Sequence, residues 1–499
     1  MKPEESLDPQ DWAELRQLGH RMLDDMLDWL EHVRERPVWQ PLPDSARAAL
    51  RRPLPRQPEG AAKAYEDFRQ HVLPFPMGNV HPRFWAWVMG AGTPLGVLAE
   101  MLAAGMNPNM GGGEHAPNHV EAQVLDWCKE MLGFPLTASG LLVSGGSMAN
   151  LVALAVARHV HSGIDVRKAG VRAAAGPLTV YGSRETHSSV QKAVELLGLG
   201  TDAYRLIPVD DEYRVDVAAL YQQLRADRVD GAVPLCVIGN LGTVNTGAID
   251  DLDALADLCE AEKIWFHVDG AFGAAAALVP AYAARTRAIA RGDSVAFDLH
   301  KWLHMPFEAG CVLVRDAEAH RHTFSIFPDY LKRSTRGVAG GDLWLSEYGV
   351  QLSRGFRALK VWMSLKEHGA EKYGRLVAQN IEQARYLAEL VRAAPDLELM
   401  APVPLNIVCF RWNDASGLDG ETLDAINQEI LLQLHEHGIA VPSNAVLGGR
   451  FCIRVSVTNH RSRREDFELL AREVRRIGGE CSGAIAQATA QTKGAPSGL

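Results

Sequence analysis

A lysine that directly follows an apolar strand is the first residue of this chain to suggest chemistry. Asp293-Ser-Val-Ala-Phe-Asp-Leu-His-Lys-Trp302 runs from a strand into His300 and Lys301. An ammonium group avoids low dielectric unless it is paired or used. Desolvation lowers a lysine's pKa and frees its lone pair, which suits Schiff-base formation with a carbonyl. A lysine at a strand's end ordinarily just reaches water, so the reading depends on what the chain places beside it.

Three further stretches share the pattern of a strand followed by polar residues. Leu141 to Asn150 runs strand, glycine turn, helix. Free N–H groups at the helix start, around Gly145 and Gly146, join the Ser147 hydroxyl in a site suited to phosphate. The spacing is neither a Walker loop nor a dinucleotide fingerprint. Ile264 to Gly273 ends in Asp269 and small residues, a carboxylate at the strand end where α/β ligands bind. Such a carboxylate can keep a ring nitrogen protonated. His187, in Glu185-Thr-His-Ser-Ser189, suits ring stacking or proton transfer. Thr243, after another strand, offers a hydroxyl to a ligand. His300 and His304 are four apart, but no third ligand stands near, so no metal is expected. Taken singly, each of these residues reads equally well as a cap, a turn or a surface group. Together, a phosphate cradle, a ring-nitrogen carboxylate, a stacking histidine and a Schiff-base lysine are what pyridoxal 5′-phosphate requires.

The elements that must position them follow from periodicity. Strands are expected at 141–143, 178–181, 204–207, 234–239, 264–268, 294–297 and 310–314, alternating with helices. That alternation predicts an α/β layer with a mostly parallel seven-stranded sheet in a large domain over 81–370. Residues 371–480 alternate again as a small α+β domain. Residues 1–80 read as one amphipathic helix (Leu15, Leu18, Met22, Met26, Trp29, Val33) and a proline-rich extended arm over 37–58. A helix on an arm has little of its own to bury against, so it is expected on a partner subunit. Residues 481–499, rich in Ala, Gly, Ser, Gln and Thr, are expected to be disordered. The glycine-bearing stretch 327–349, with Lys332, Arg333 and Arg336, reads as a lid.

A chain of 499 residues is too long for one core, so two or three lobes are expected. A formal net charge of −10 without a basic block argues against a nucleic-acid or anionic-membrane partner. The polar, acidic start, the lack of a long apolar run and seven scattered cysteines without a Cys-x-x-Cys suit a cytoplasmic protein with reduced thiols.

Ser144-Gly-Gly-Ser147, His187-Ser-Ser, His267-Val-Asp269-Gly-Ala271 and Asp298-Leu-His-Lys301-Trp, in this order, resemble the group II pyridoxal-phosphate-dependent decarboxylases. This family includes the aromatic amino acid, histidine and glutamate decarboxylases. His81-Pro-Arg-Phe and Arg354-Gly-Phe-Arg-Ala-Leu-Lys360 extend the resemblance, which covers about His81 to Arg454. It implies a type I transferase fold, a homodimer and an amino acid substrate. It also implies roles. Lys301 would carry the cofactor, Asp269 would pair with the pyridine nitrogen, and His187 would stack on the ring opposite Ala271. Gly145, Gly146, Ser147, Asp298 and His300 would surround the phosphate or the lysine. Trp87, Val88 and Met89 would line the side-chain pocket, implying an aromatic or apolar substrate. Arg83 after His-Pro, as in glutamate decarboxylases, keeps an acidic substrate open. Arg454 would approach from the small domain.

Two departures matter. The tyrosine that protonates the α-carbon in relatives falls near Leu345, with Tyr348 and Tyr330 nearby as substitutes. Asp298 stands where many relatives have asparagine. The first departure bears on the fate of the carbanion, and the retained His187 favours decarboxylation to an amine, which is the expectation. Aldehyde synthesis or transamination are the alternatives, and an inactive scaffold is a third.

Overall fold

Seven apolar runs between residues 139 and 314 become the strands of one sheet. A computed structural model describes residues 4–326, 334–415 and 417–493. The strands are β1 (Ser139–Val143), β2 (Leu178–Ser183), β3 (Tyr204–Ile207), β4 (Val233–Asn240), β5 (Trp265–Asp269), β6 (Ser294–Asp298) and β7 (Gly310–Val314). Their order is β1-β7-β6-β5-β4-β2-β3. Strand β7 is antiparallel to both neighbours and the other pairings are parallel. Most strand residues are buried on both faces, which is why they read as continuous apolar runs rather than alternating ones. The helix Gly146–His161 lies across the sheet with Ala149, Ala153 and Ala157 buried, small side chains that allow a close approach.

The long helix Ala358–Ala393 breaks at Gly369 and joins two cores. Val361, Leu365 and Val377 belong to the large-domain core, while Ala384, Leu387 and Val391 belong to the small-domain core. The small domain is a four-stranded antiparallel sheet of β8 (Leu397–Leu399), β9 (Ile407–Trp412), β10 (Ser443–Leu447) and β11 (Arg450–Ser456), in the order β10-β11-β9-β8. Helices Gly420–Glu436 and Arg464–Lys493 cover it. Trp85, near the start of the 81–370 region, stacks on Phe467 at 4.9 Å and donates to Ser462 Oγ, tying that segment to the small domain.

Three expectations change. The arm over 37–58 holds a short helix, Asp44–Ala49, because Pro43 occupies a position before the first turn that tolerates it. The segment from 481, expected to be disordered, continues the last helix to Lys493; Ala and Gln are good helix formers. The described part of the expected lid, from 334, is tethered. Ser346 N–H donates to Gly111 and Glu114 N–H to Val338. Tyr330, Lys332 and Arg333 lie outside the described residues. No described helix is long and apolar enough to cross a membrane.

Candidate active site

The parallel strands end on one side of the sheet, and there they deliver Asn240, Asp269 and Asp298. A cavity of about 250 Å³ opens over these ends. His187, Asn240, Asp269, Ala271, Phe272 and Lys301 form its floor and sides. Ser443, Asn444 and Arg454 close it from the small domain, and Trp87 and Val88 from the segment before the first strand.

Lys301 Nζ lies 2.8 Å from Asp298 Oδ2, so the lysine is held in an ion pair rather than stripped of partners. Asp298 is 4% exposed, and its Oδ1 has no hydrogen-bond partner among the described residues. It is pressed against glycines. A Cβ at Gly146 would sit 3.0 Å from Asp298 Oδ2, and one at Gly310 would sit 2.7 Å from Asp298 Oδ1. Any side chain at either place would fill the space beside the carboxylate. No side chain caps the helix that begins at Gly146, so its first N–H groups face this space.

Asp269 is buried, and both its oxygens are engaged. Ala271 N–H donates to Oδ1 at 3.1 Å and Asn150 Nδ2 donates to Oδ2 at 3.0 Å. Asn150 is a hub. Its Oδ1 lies 2.9 Å from His267 Nε2, and its Nδ2 also reaches Ser189 Oγ at 3.0 Å. Ser189 in turn holds His187 Nδ1 through Oγ at 2.8 Å and through its own backbone N–H at 3.2 Å. A backbone N–H can only donate, so His187 Nδ1 accepts and its proton sits on Nε2. Burial lowers the pKa of His187, against the opposing pull of Asp269. His267 is pushed down to about 4 by burial and is neutral. Its Nε2–H donates to Asn150, and its Nδ1 accepts from Ser294 Oγ at 2.8 Å. One chain of donors therefore fixes both Asp269 and His187.

Arg454, on β11, is 3% exposed. It donates to the carbonyls of Trp87 at 2.9 Å, Asn245 at 3.2 Å and Val244, and to Ser443 Oγ at 3.2 Å. None of these partners is an anion. Desolvation lowers the Arg454 pKa to about 10, which leaves a charged guanidinium at the cavity. Trp87 has φ +53°, unusual for a side-chain-bearing residue, and the Arg454 bond to its carbonyl helps hold it there.

The structure thus brings together Lys301, Asp269, His187, Ala271, Asp298, His300, Gly145, Gly146, Trp87, Val88 and Arg454. Ser147 is exposed on the first turn of its helix. Thr243 does not line the cavity. Its hydroxyl is spent on its own turn, accepting from Ala248 N–H and meeting Thr246 Oγ1. Tyr348 is also elsewhere, its ring edge-on to His320 at 5.1 Å, and Leu345 is buried in the core. Met89 packs with the Phe84 cluster, and Arg83 faces Asp466 and Arg34 rather than the cavity. Sequence reasoning missed the roles of Asn150, Ser189 and Asn240. The signal for Asn150 was a buried polar residue on an otherwise apolar helix face.

Residues 43–413 match the model of the pyridoxal-dependent decarboxylase conserved domain. The chain belongs to this family. It is 35% identical over 472 residues to an aromatic-L-amino-acid decarboxylase of Bacillus atrophaeus, covering 94% of this chain and 96% of that protein. It is 28% identical to a phenylacetaldehyde synthase of Petunia hybrida, covering 90% of this chain and 91% of the other. The solved structure of Oryza sativa TDC with PLP and tryptamine superposes with a TM-score of 0.87 at 27% identity, covering 95% and 99% of the two chains. The protein is a pyridoxal-phosphate-dependent amino acid decarboxylase, a carboxy-lyase of type I fold. The residues present fit the cofactor. A primary amine, a buried carboxylate and an imidazole converge on one cavity, and the uncapped helix start at Gly146 offers backbone N–H groups to an anion.

Proposed function

We propose that this enzyme decarboxylates an aromatic or apolar L-amino acid to the amine, with Lys301 as the tether of pyridoxal phosphate. The observation that carries the reading is the convergence of Lys301, Asp269 and His187 on one cavity at the strand ends. When bound, the cofactor supplies the electron sink for the breaking bond between the α-carbon and its carboxylate. Asp269, oriented by Asn150 and by the Ala271 N–H, keeps a ring nitrogen protonated. His187 presents its flat face, with Ala271 opposite, and holds a proton on Nε2 that it can give up. Gly145 and Gly146 at the helix start, with His300 beside them, would hold the phosphate. Arg454 has no anionic partner of its own and orients the substrate carboxylate. The apolar surface of Trp87, Val88, Val244 and Phe272 favours an aromatic or apolar side chain. An acidic side chain loses support because Arg83 faces away from the cavity.

The exposed apolar residues Leu7, Trp12, Leu15 and Met22 of the amino-terminal segment support a homodimer in which that segment packs on the partner. A cytoplasmic location accompanies this reading.

A second outcome is favoured by one observation: Leu345, at the position expected for the proton-donating tyrosine, is a core residue. A carbanion left unprotonated would react with oxygen. Amino acid, O2 and water would then give aldehyde, CO2, ammonia and hydrogen peroxide. A panel of amino acids assayed for CO2, amine, aldehyde, ammonia and peroxide separates the two. Amine equal to CO2, without peroxide, is expected from an aromatic substrate. Aldehyde with ammonia and peroxide in equal yield would overturn the amine outcome.

A further inference from the structure

The chain places a carboxylate, Asp298, directly on the nitrogen that must become a nucleophile. Lys301 Nζ is 2.8 Å from Asp298 Oδ2. An ammonium has no lone pair, so Lys301 cannot attack a carbonyl until a proton leaves it. Asp298 is the acceptor at hand. Its second oxygen, Oδ1, is buried and bonds to no donor among the described residues. A buried acceptor left unpartnered is unfavourable and calls for a reason. The walls beside it are Gly145, Gly146 and Gly310, which leave the oxygen room.

The geometry points to Asp298 as the proton shuttle for carbonyl capture by Lys301, an inference that rests on Lys301 being the tether. Asp298 Oδ2 takes one proton from the ammonium. The freed Nζ lone pair forms a bond to the aldehyde carbon, and the π pair moves to the oxygen. A second Nζ proton passes to that oxygen. Asp298 then gives its proton to the new hydroxyl, which leaves as water as the nitrogen lone pair closes the C=N bond. The nitrogen ends protonated and cationic, and Asp298 ends as its counter-ion. Atoms and charge balance without an oxidant or reductant, and no proton is exchanged with solvent. The same steps in reverse release the lysine.

Other groups facing Asp298 do not replace it. His300 Nε2 is 3.9 Å away, and His300 Nδ1 is engaged with the Ala309 backbone. The helix start contributes only Gly145 and Gly146, and β7 contributes Gly310. From the end of β5, the Ala271 carbonyl accepts the Asp298 N–H. His187 and Asp269 lie across the cavity, where His187 feels both carboxylates.

A passive ion pair and a shuttle predict opposite signs. If Asp298 only stabilises the ammonium, removing its charge frees the amine and speeds capture. If it moves the proton, removing it slows capture. The full-length chain, freed of cofactor with an aminooxy reagent, is mixed with pyridoxal 5′-phosphate, and the rise of the Lys301-dependent absorbance is timed from pH 6 to 9. Asp298→Asn is expected to capture about a hundredfold more slowly at pH 7, the usual range of proton-transfer assistance. Its rate should climb with pH, because solvent base must then take the proton that Asp298 no longer accepts. Asp298→Ala should regain speed with added formate. A D298N rate equal to or above that of the parent at pH 7 would overturn the shuttle. So would a folded D298A, judged by circular dichroism, that formate does not help. Lys301→Ala is the separate control. If the absorbance survives in K301A, the tether assignment fails; if it is lost while D298N is unimpaired, only the shuttle fails.

Discussion

Asn150→Asp is nearly isosteric and strikes the hub of the site. Asn150 now donates to Asp269 Oδ2 at 3.0 Å. The variant replaces that donor with a second carboxylate oxygen at the same distance, deep in the fold. Two charges 3 Å apart at an effective dielectric constant of about 20 repel by about 5 kcal/mol. The pair escapes by binding one proton. For a carboxyl of ordinary pKa, holding a proton at pH 7 costs about 4 kcal/mol, which is therefore the ceiling on the penalty. The shared proton raises a folded-state carboxyl pKa above its unfolded value, so the native state binds more protons than the unfolded one. The penalty is then largest at neutral pH and shrinks by about 1.4 kcal/mol per pH unit toward pH 4. The assay is urea unfolding of N150D and the parent at matched pH values from 5 to 8. A difference below about 1 kcal/mol at pH 7, or one that does not shrink on acidification, would refute the charge-pair reasoning.

Further expectations concern charge and protonation. Arg454→Gln removes the guanidinium that has no anionic partner, so KM for the amino acid should rise about tenfold or more, measured by steady-state kinetics. An unchanged KM would show that Arg454 only braces Trp87. Asp269→Asn should keep the cofactor tethered yet lower kcat by about a hundredfold or more, since a neutral amide cannot hold a ring nitrogen protonated. His81, His267, His320 and His460 are each held down to about 4 by burial. Their folded values lie below the unfolded value, so acid favours the unfolded chain. Stability should fall as pH drops from about 6.5 toward 4, by up to about 1.4 kcal/mol per pH unit for each histidine. Urea midpoints across that range check this, and a flat profile would contradict it.

Much of the site was legible because parallel strands end in it. Lys301, Asp269 and His187 each follow a short apolar run, so their strand-end placement could be read locally. Asn150 could not, because its partners Ser189, His267 and Asp269 are brought to it only by the register of a helix over the sheet. The Thr243 hydroxyl looked available until the turn that uses it was visible. Tyr348 stood as a substitute three residues out of register, and its ring is packed on His320. The helix to Lys493 was hidden by a composition that resembles low complexity, although its Ala and Gln residues have high helix propensity.

The account rests on Lys301 as the point of cofactor attachment. Reducing the cofactor-loaded enzyme with borohydride and mapping its peptides by mass spectrometry tests this directly. A stable pyridoxyl phosphate adduct on Lys301 is expected, in the segment that begins at β6. An adduct on another lysine, or an unmodified Lys301 in enzyme that shows the cofactor's absorbance, would contradict it.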